Sequence, residues 1–269
     1  MTGVEHPQNG FTLAITSGKG GVGKTSIALN LAIQLSRLQT DVLLIDVNFG
    51  LANLGVLLNL VSEDTLEDVL EGRCALFQTI KRGPEGLNVI PASLSSSQSF
   101  SFTPLKQKVL TRQLGKLKEK FDLILIDTPS GMSTGVSSVL SVADETVVIT
   151  TPEPTAVVDA YAMVKLIHNS GAERRLSLLI NMVKSRDQAL DLKAKFDQMT
   201  NRFLNCHLVS RGCVLFDPGV AEAVWRQVPF VVRNANAPAS LCLAEIAKGL
   251  LEEMKVKSSD GEMGVQYPS

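Results

Sequence analysis

The segment Gly18-Lys19-Gly20-Gly21-Val22-Gly23-Lys24-Thr25 constrains this chain more than any other. It follows the short apolar run Phe11–Ser17 and opens a stretch in which Ile27, Leu31 and Leu35 recur at helical spacing. Glycines let successive backbone N–H groups turn inward with no Cβ in the way. The helix N-terminus adds partial positive charge at the same place. The pattern G-x-x-x-x-G-K-[ST], set between strand and helix, is a loop that cradles nucleotide phosphates. Gly18, Lys19, Gly20, Gly21, Val22, Gly23, Lys24, Thr25 and Ser26 are therefore the candidate nucleotide-binding stretch. Lys24 is expected to reach the β- and γ-phosphates, and the Thr25 hydroxyl to bind Mg²⁺. Lys19 is a second lysine that the pattern does not require. It is either a solvated surface lysine or a contact to phosphates held by a second subunit.

The rest of the chain repeats the theme of strand followed by helix. The apolar runs Phe11–Ser17, Val42–Val47, Leu123–Asp127, Thr146–Thr151 and Leu176–Met182 are short and nearly continuous rather than alternating. Strands covered on both faces of a parallel sheet have that pattern. Leu87–Pro91 and His207–Val214 are weaker strand candidates. Helical spacing marks Lys24–Leu38, Pro104–Lys120, Thr155–Asn169, Gln188–Leu204, Gly219–Arg226 and Pro238–Met254. The alternation predicts an α/β fold: a doubly wound, mainly parallel sheet with helices on both faces. One domain over 11–256 is expected, after a loose lead-in at 1–10 and before a polar, disordered tail at 257–269. Residues 93–102 read as a serine-rich loop.

Composition excludes several classes of function. A formal net charge of -1 provides no global field for nucleic acid, so no nucleic-acid partner is expected. The four cysteines are far apart and contain no C-x-x-C pair, which favours free thiols in a reducing cytoplasm over disulfides or a metal site. No secretory signal precedes the first strand and no apolar run approaches the length of a membrane span, so a cytoplasmic location is expected. The last helical stretch carries Leu243, Ile246, Ala247, Leu250 and Met254 on one face. That stripe suits packing on the core or lying on a membrane, and the core is favoured because the polar residues after it offer no second apolar face.

Two acids stand where ligands of open α/β sheets bind. Asp46 ends Val42-Leu43-Leu44-Ile45, and Asp127 ends Leu123-Ile124-Leu125-Ile126, so both fall at the carboxyl edge of the sheet. An unpaired carboxylate is costly to bury there, and the hydration shell of Mg²⁺ is a natural partner. A helix cap or a loop salt bridge is the alternative at each position.

Ser17-Gly18-Lys19-Gly20-Gly21-Val22-Gly23-Lys24-Thr25 resembles the variant phosphate loop of the MinD/ParA superfamily, whose mark is the lysine at Lys19. Within it, Gly50-Leu51-Ala52-Asn53-Leu54, Glu153-Pro154-Thr155, Asn181-Met182-Val183-Lys184-Ser185 and Phe216-Asp217 are similar to the flagellar-number regulators FlhG and FleN. The likeness runs from about residue 11 to 254. It implies an ATP-bound homodimer in which Lys19 crosses to the partner's phosphates, with ATP and Mg²⁺ as cofactors. It also implies a protein partner in the flagellar assembly or regulatory machinery, and membrane contact that is weak or indirect, peripheral at the inner face. By position, Asp127 is the acid after the second phosphate-site strand, Asp46 is the switch acid in the metal shell, and Asn181 reads adenine. Asn181 as a mere strand-end cap is the alternative. The resemblance makes Lys19, Asn48 and Asp127 the catalytic set. Where the family reads Asp-x-Asp, this chain reads Asp46-Val47-Asn48, so an amide replaces the acid that activates water. Slow hydrolysis is expected. Gly55 also stands where FlhG and FleN tend to carry an acid, and their activating motif Asp-Gln-Ala-x-x-Leu-Arg is not found in residues 1–10.

Overall fold

A computed structural model describes residues 10–48, 53–60, 62, 64–92, 103–131, 134–170 and 175–262. The serine-rich loop at 93–102, residues 1–9 of the lead-in and 263–269 of the tail lie outside the described residues. In chain order the elements begin β1 (Phe11–Thr16), α1 (Lys24–Arg37), β2 (Val42–Asp46), α2 (Asn53–Leu58) and α3 (Leu66–Leu70). Then come β3 (Lys81–Arg82), β4 (Asn88–Ile90), α4 (Pro104–Lys118), β5 (Leu123–Asp127), α5 (Thr134–Leu140) and β6 (Glu145–Thr150). The chain goes on through α6 (Pro154–Asn169), β7 (Arg175–Val183), α7 (Arg186–Leu204) and β8 (Val209–Leu215). It ends with α8 (Pro218–Trp225), α9 (Phe230–Arg233) and α10 (Pro238–Glu262).

The strands form one sheet in the order β3-β4-β2-β5-β1-β6-β7-β8. Every pairing is parallel except the short β3–β4 edge. The continuous apolar runs have the expected cause: β2 and β5 are buried at every position. Successive side chains point to opposite faces. Leu13 and Ile15 of β1 pack with α1, α9 and α10, whereas Ala14 joins the cluster built with α4, α6 and α7. The expected doubly wound fold is thus the observed one.

The sheet places β1 at its centre, between β5 and β6. From β1 the chain runs out through β2 toward one edge, and later through β6, β7 and β8 toward the other. This reversal opens a crevice at the carboxyl ends of the central strands, where the loop after β1 lies.

The stripe on the last helix is core. Leu243, Ala247 and Leu250 are buried, and Ile246 and Met254 pack against the same cluster. α10 runs to Glu262, past the expected end at Met254. An ion network absent from the sequence expectation ties it down. Glu145, fully buried at the start of β6, accepts both arms of Arg211 at 2.6 Å and the Ser177 hydroxyl at 2.5 Å. Arg211 in turn meets Glu253 of α10 at 3.0 Å. No helix among the described residues is long and apolar enough to cross a membrane.

Candidate functional site

The loop after β1 is shaped by what lies against it. Gly18 is glycine because a Cβ there would meet the Asp159 carbonyl oxygen of α6 at 2.1 Å. Gly23 holds φ +91, and a Cβ would stand 2.5 Å from Nδ2 of Asn181. The chain then enters α1 at Lys24, whose first backbone N–H groups have no helical acceptor.

Beside this loop opens a cleft of about 640 Å³. One end is lined by Gly20, Gly21, Gly23, Lys24, Thr25, Ser26 and Asn48. The other end is apolar, with Met182, Leu215, Phe216, Val220, Val224 and Phe230. Asn181 lines it too, and Asp217 borders it. A polar floor at one end and an apolar slot at the other match a phosphate group joined to a flat base. Gly18, Lys19, Val22, Asp46 and Asp127 do not themselves line the cleft.

Two carboxylates converge next to the phosphate end. Asp46 and Asp127 are register partners on β2 and β5, and both are fully buried. The Thr25 hydroxyl donates to Asp127 Oδ2 at 2.6 Å. Asn48 donates its side-chain amide to both acids, at 2.9 Å to Asp46 Oδ1 and 3.0 Å to Asp127 Oδ2. Asp46 is further held by the N–H groups of Asn48 at 2.8 Å and Leu54 at 3.1 Å. Oδ1 of Asp127 is buried and accepts no hydrogen bond from the described residues.

Burial dominates the electrostatics. It pushes the Asp127 carboxyl up to about 7, with the neighbouring Asp46 adding to the rise and Thr25, Lys24 and Asn48 opposing it. Asp46 is raised as well, again first by burial. Lys24, itself 8% exposed, is drawn below the ordinary lysine range by burial, against the attraction of Asp127.

The residues proposed for Mg²⁺ fit such an ion. Thr25 and Asp127 already touch, Asp46 is in register beside them, and Asp127 keeps one buried oxygen without a partner among the described residues. Hard oxygen ligands of this kind, few in number and completed by phosphate and water, suit Mg²⁺.

Lys19 stands apart from this group. Its ammonium donates to Glu153 Oε1 at 2.5 Å and to Thr155 Oγ1 at 2.9 Å, while its backbone carbonyl accepts from Ser17 Oγ at 2.7 Å. The ammonium pulls the Glu153 carboxyl below the usual carboxylate range. Neither Glu153 nor Thr155 was a site residue in the sequence reading, although both belong to a stretch it singled out. Asn181 is also engaged: Nδ2 donates to the Val22 carbonyl at 2.8 Å, and Oδ1 accepts from the Met182 N–H at 2.9 Å. The apolar walls from Met182 and α8 were missed as well. Their signals were Met182 in the Asn181–Ser185 stretch and Phe216-Asp217, set beside an α8 sequence rich in apolar residues.

Comparison with known proteins converges on one family. A family model described as an AAA domain matches residues 11–180. The chain is 35% identical over 246 residues to the antiactivator FleN of Pseudomonas aeruginosa, covering 91% of this chain and 87% of that protein. It is 32% identical over 249 residues to the septum site-determining protein MinD of Bacillus subtilis, covering 91% and 90%. Among solved structures, MinD of Pyrococcus horikoshii complexed with Mg-ADP shares the fold with a TM-score of 0.75 at 22% identity, covering 92% of this chain and 98% of that one. With its variant phosphate loop after the central strand and its two acids ending β5 and β2, the next two strands of the sheet, the chain belongs to the MinD/ParA family of ATPases, close to FleN.

Proposed function

We propose that this protein is an ATP-switched, dimerising regulator that controls flagellar number or placement and hydrolyses ATP slowly. The observation that carries the reading is the position of Lys19. It lies outside the cleft formed by its own loop, so its charge is available to a nucleotide held by a second copy. Within one copy Glu153 and Thr155 hold that ammonium, and dimerisation exchanges them for the partner's phosphates.

Within one copy, the loop N–H groups and Lys24 bind the phosphates, and the apolar slot receives the base. Mg²⁺, when bound, supplies charge stabilisation for phosphoryl transfer. Thr25, Asp127 and Asp46 hold it. Asn48 orients the attacking water by a hydrogen bond, as a neutral amide is able to do. It accepts no proton, and general-base assistance is typically worth about 10²–10⁴-fold, so turnover is slow. The name antiactivator in the FleN relative supports a protein partner in flagellar regulation or assembly. The stripe of α10 is spent on the core, so membrane contact is weak or indirect and the protein works in the cytoplasm.

Light scattering after size exclusion, with ATP, ADP and no nucleotide, and hydrolysis measured on the same samples, tests this reading. A dimer in ATP alone is expected. A mass that does not respond to ATP would end it.

A further inference from the structure

The engagement of Asn181 suggests a role beyond touching the base. We infer that Asn181 is a positioning residue that clasps the phosphate loop in its binding shape, and so links the base end of the cleft to the phosphate end. The inference rests on the nucleotide-binding reading above.

The geometry begins with Val22. Its carbonyl is held by Asn181 Nδ2 at 2.8 Å across 159 residues of sequence. A trans peptide is planar with C=O and N–H opposed, so fixing that carbonyl fixes the direction of the Gly23 N–H. Gly23 is the residue at φ +91 whose missing Cβ makes room for the same Asn181 nitrogen. Loop and amide are therefore fitted to each other, and the last turn before Lys24 is set by the contact.

The amide is itself held against rotation. Oδ1 accepts the Met182 N–H at 2.9 Å, so a flip would break both bonds at once. The backbone is arranged to allow this. Met182 adopts φ +58, and the β7–β8 ladder loses register between Ile180 and Val183. Such an irregularity re-aims a side chain at the end of a strand. A carboxamide has two N–H donors and two acceptor lone pairs. Two of those four are used, and the remaining donor and acceptor belong to a side chain that lines the cleft. A purine edge met by that pair would leave the clasp intact.

Tripolyphosphate separates the two roles, because it has phosphates and no base. The full-length protein is titrated in Mg²⁺ with a fluorescent ADP analogue, and tripolyphosphate is measured by competition. Asn181→Ala should weaken tripolyphosphate about tenfold, the scale of one buried hydrogen bond with its acceptor left unsatisfied. Asn181→Asp keeps the shape but turns an oxygen toward the Val22 carbonyl, and should weaken it further. The ADP analogue should still bind at wild-type stoichiometry in both variants. Tripolyphosphate binding at wild-type strength in Asn181→Ala would overturn the clasp and leave a base contact only. A reduced stoichiometry with unchanged affinity would also overturn it, since that reports loss of folded protein. A wild-type chain that binds neither ligand would instead refute the nucleotide-binding reading itself.

Discussion

Asn48→Asp is the substitution whose consequences the site geometry defines best, and they run in opposite directions with and without ligand. The Asn48 amide is the only side-chain donor among the described residues that bridges Asp46 and Asp127. Replacing it removes two hydrogen bonds to acidic acceptors, each worth about 1.5–3 kcal/mol when the acceptor is charged. It also sets a third carboxyl against two that are fully buried. Like charges at that distance relieve themselves by taking up a proton, which caps the repulsion and restores one donor. The expected net loss is therefore about 2–4 kcal/mol of stability without Mg²⁺ and nucleotide. Denaturant melts in EDTA measure it. Mg·ATP should close most of the gap, because the ion supplies the positive charge that the amide dipole no longer provides. In the same variant the new acid is available to activate water, and kcat should rise at least about tenfold, roughly 1.4 kcal/mol of barrier. If the variant is as stable as wild type in EDTA, the amide does not hold the acids together. If the wild type already hydrolyses ATP as fast as the variant, another group activates the water.

Lys19→Ala should abolish ATP-dependent dimerisation while monomer nucleotide affinity stays within a few-fold, read by light scattering and calorimetry; normal dimers would contradict the crossing lysine. Glu153→Gln weakens the resting partner of Lys19 and should shift the ATP titration of dimer formation to lower protein concentration. Lys24→Ala and Thr25→Ala should each remove measurable Mg·ATP binding, and wild-type affinity in either would mean that the loop is not the site. Asp127 binds a proton in the folded state up to pH about 7, whereas the unfolded chain releases it near 4. Its contribution to stability is therefore present below pH 4 and is lost as pH rises through 7, by at most about 1.4 kcal/mol per pH unit. Asp127→Asn should flatten that fall in nucleotide-free melts, and an unchanged slope would remove Asp127 as its source.

The long elements were legible because their physics is local. Strands buried on both faces must be apolar along their length, and β2 and β5 are, up to the acids that end them. The phosphate loop was legible because its glycines, lysine and threonine have to be adjacent to do their work. The short pieces α2, α3, α5 and α9, with seven residues or fewer, are too brief for a helical period to repeat. What sequence could not provide was pairing. Glu145 reads as a polar residue before a strand, and only the fold brings Arg211 and Ser177 onto it. Asp46 and Asp127 were placed at the sheet edge, but their sharing of one amide depends on β2 and β5 being neighbours.

The pairings share a logic that bears on how such a switch works. Within the chain three of the groups assigned to the ligand are held by other residues: Lys19 by Glu153 and Thr155, the Thr25 hydroxyl by Asp127, and the Asn48 amide by both acids. In the proposed switch, nucleotide binding exchanges these internal partners for external ones, so its free energy is a difference of two large terms. That keeps affinity moderate and reversibility high, as a switch needs. Two buried acids and a loop lysine deprived of these partners would destabilise the cleft. In that proposal the exchange is graded in position: Thr25 and Asn48 would change partners within one copy, whereas Lys19 would be released only to a second. Monomer binding and dimerisation are thereby separable steps, and substitutions at Glu153 should move the second without the first.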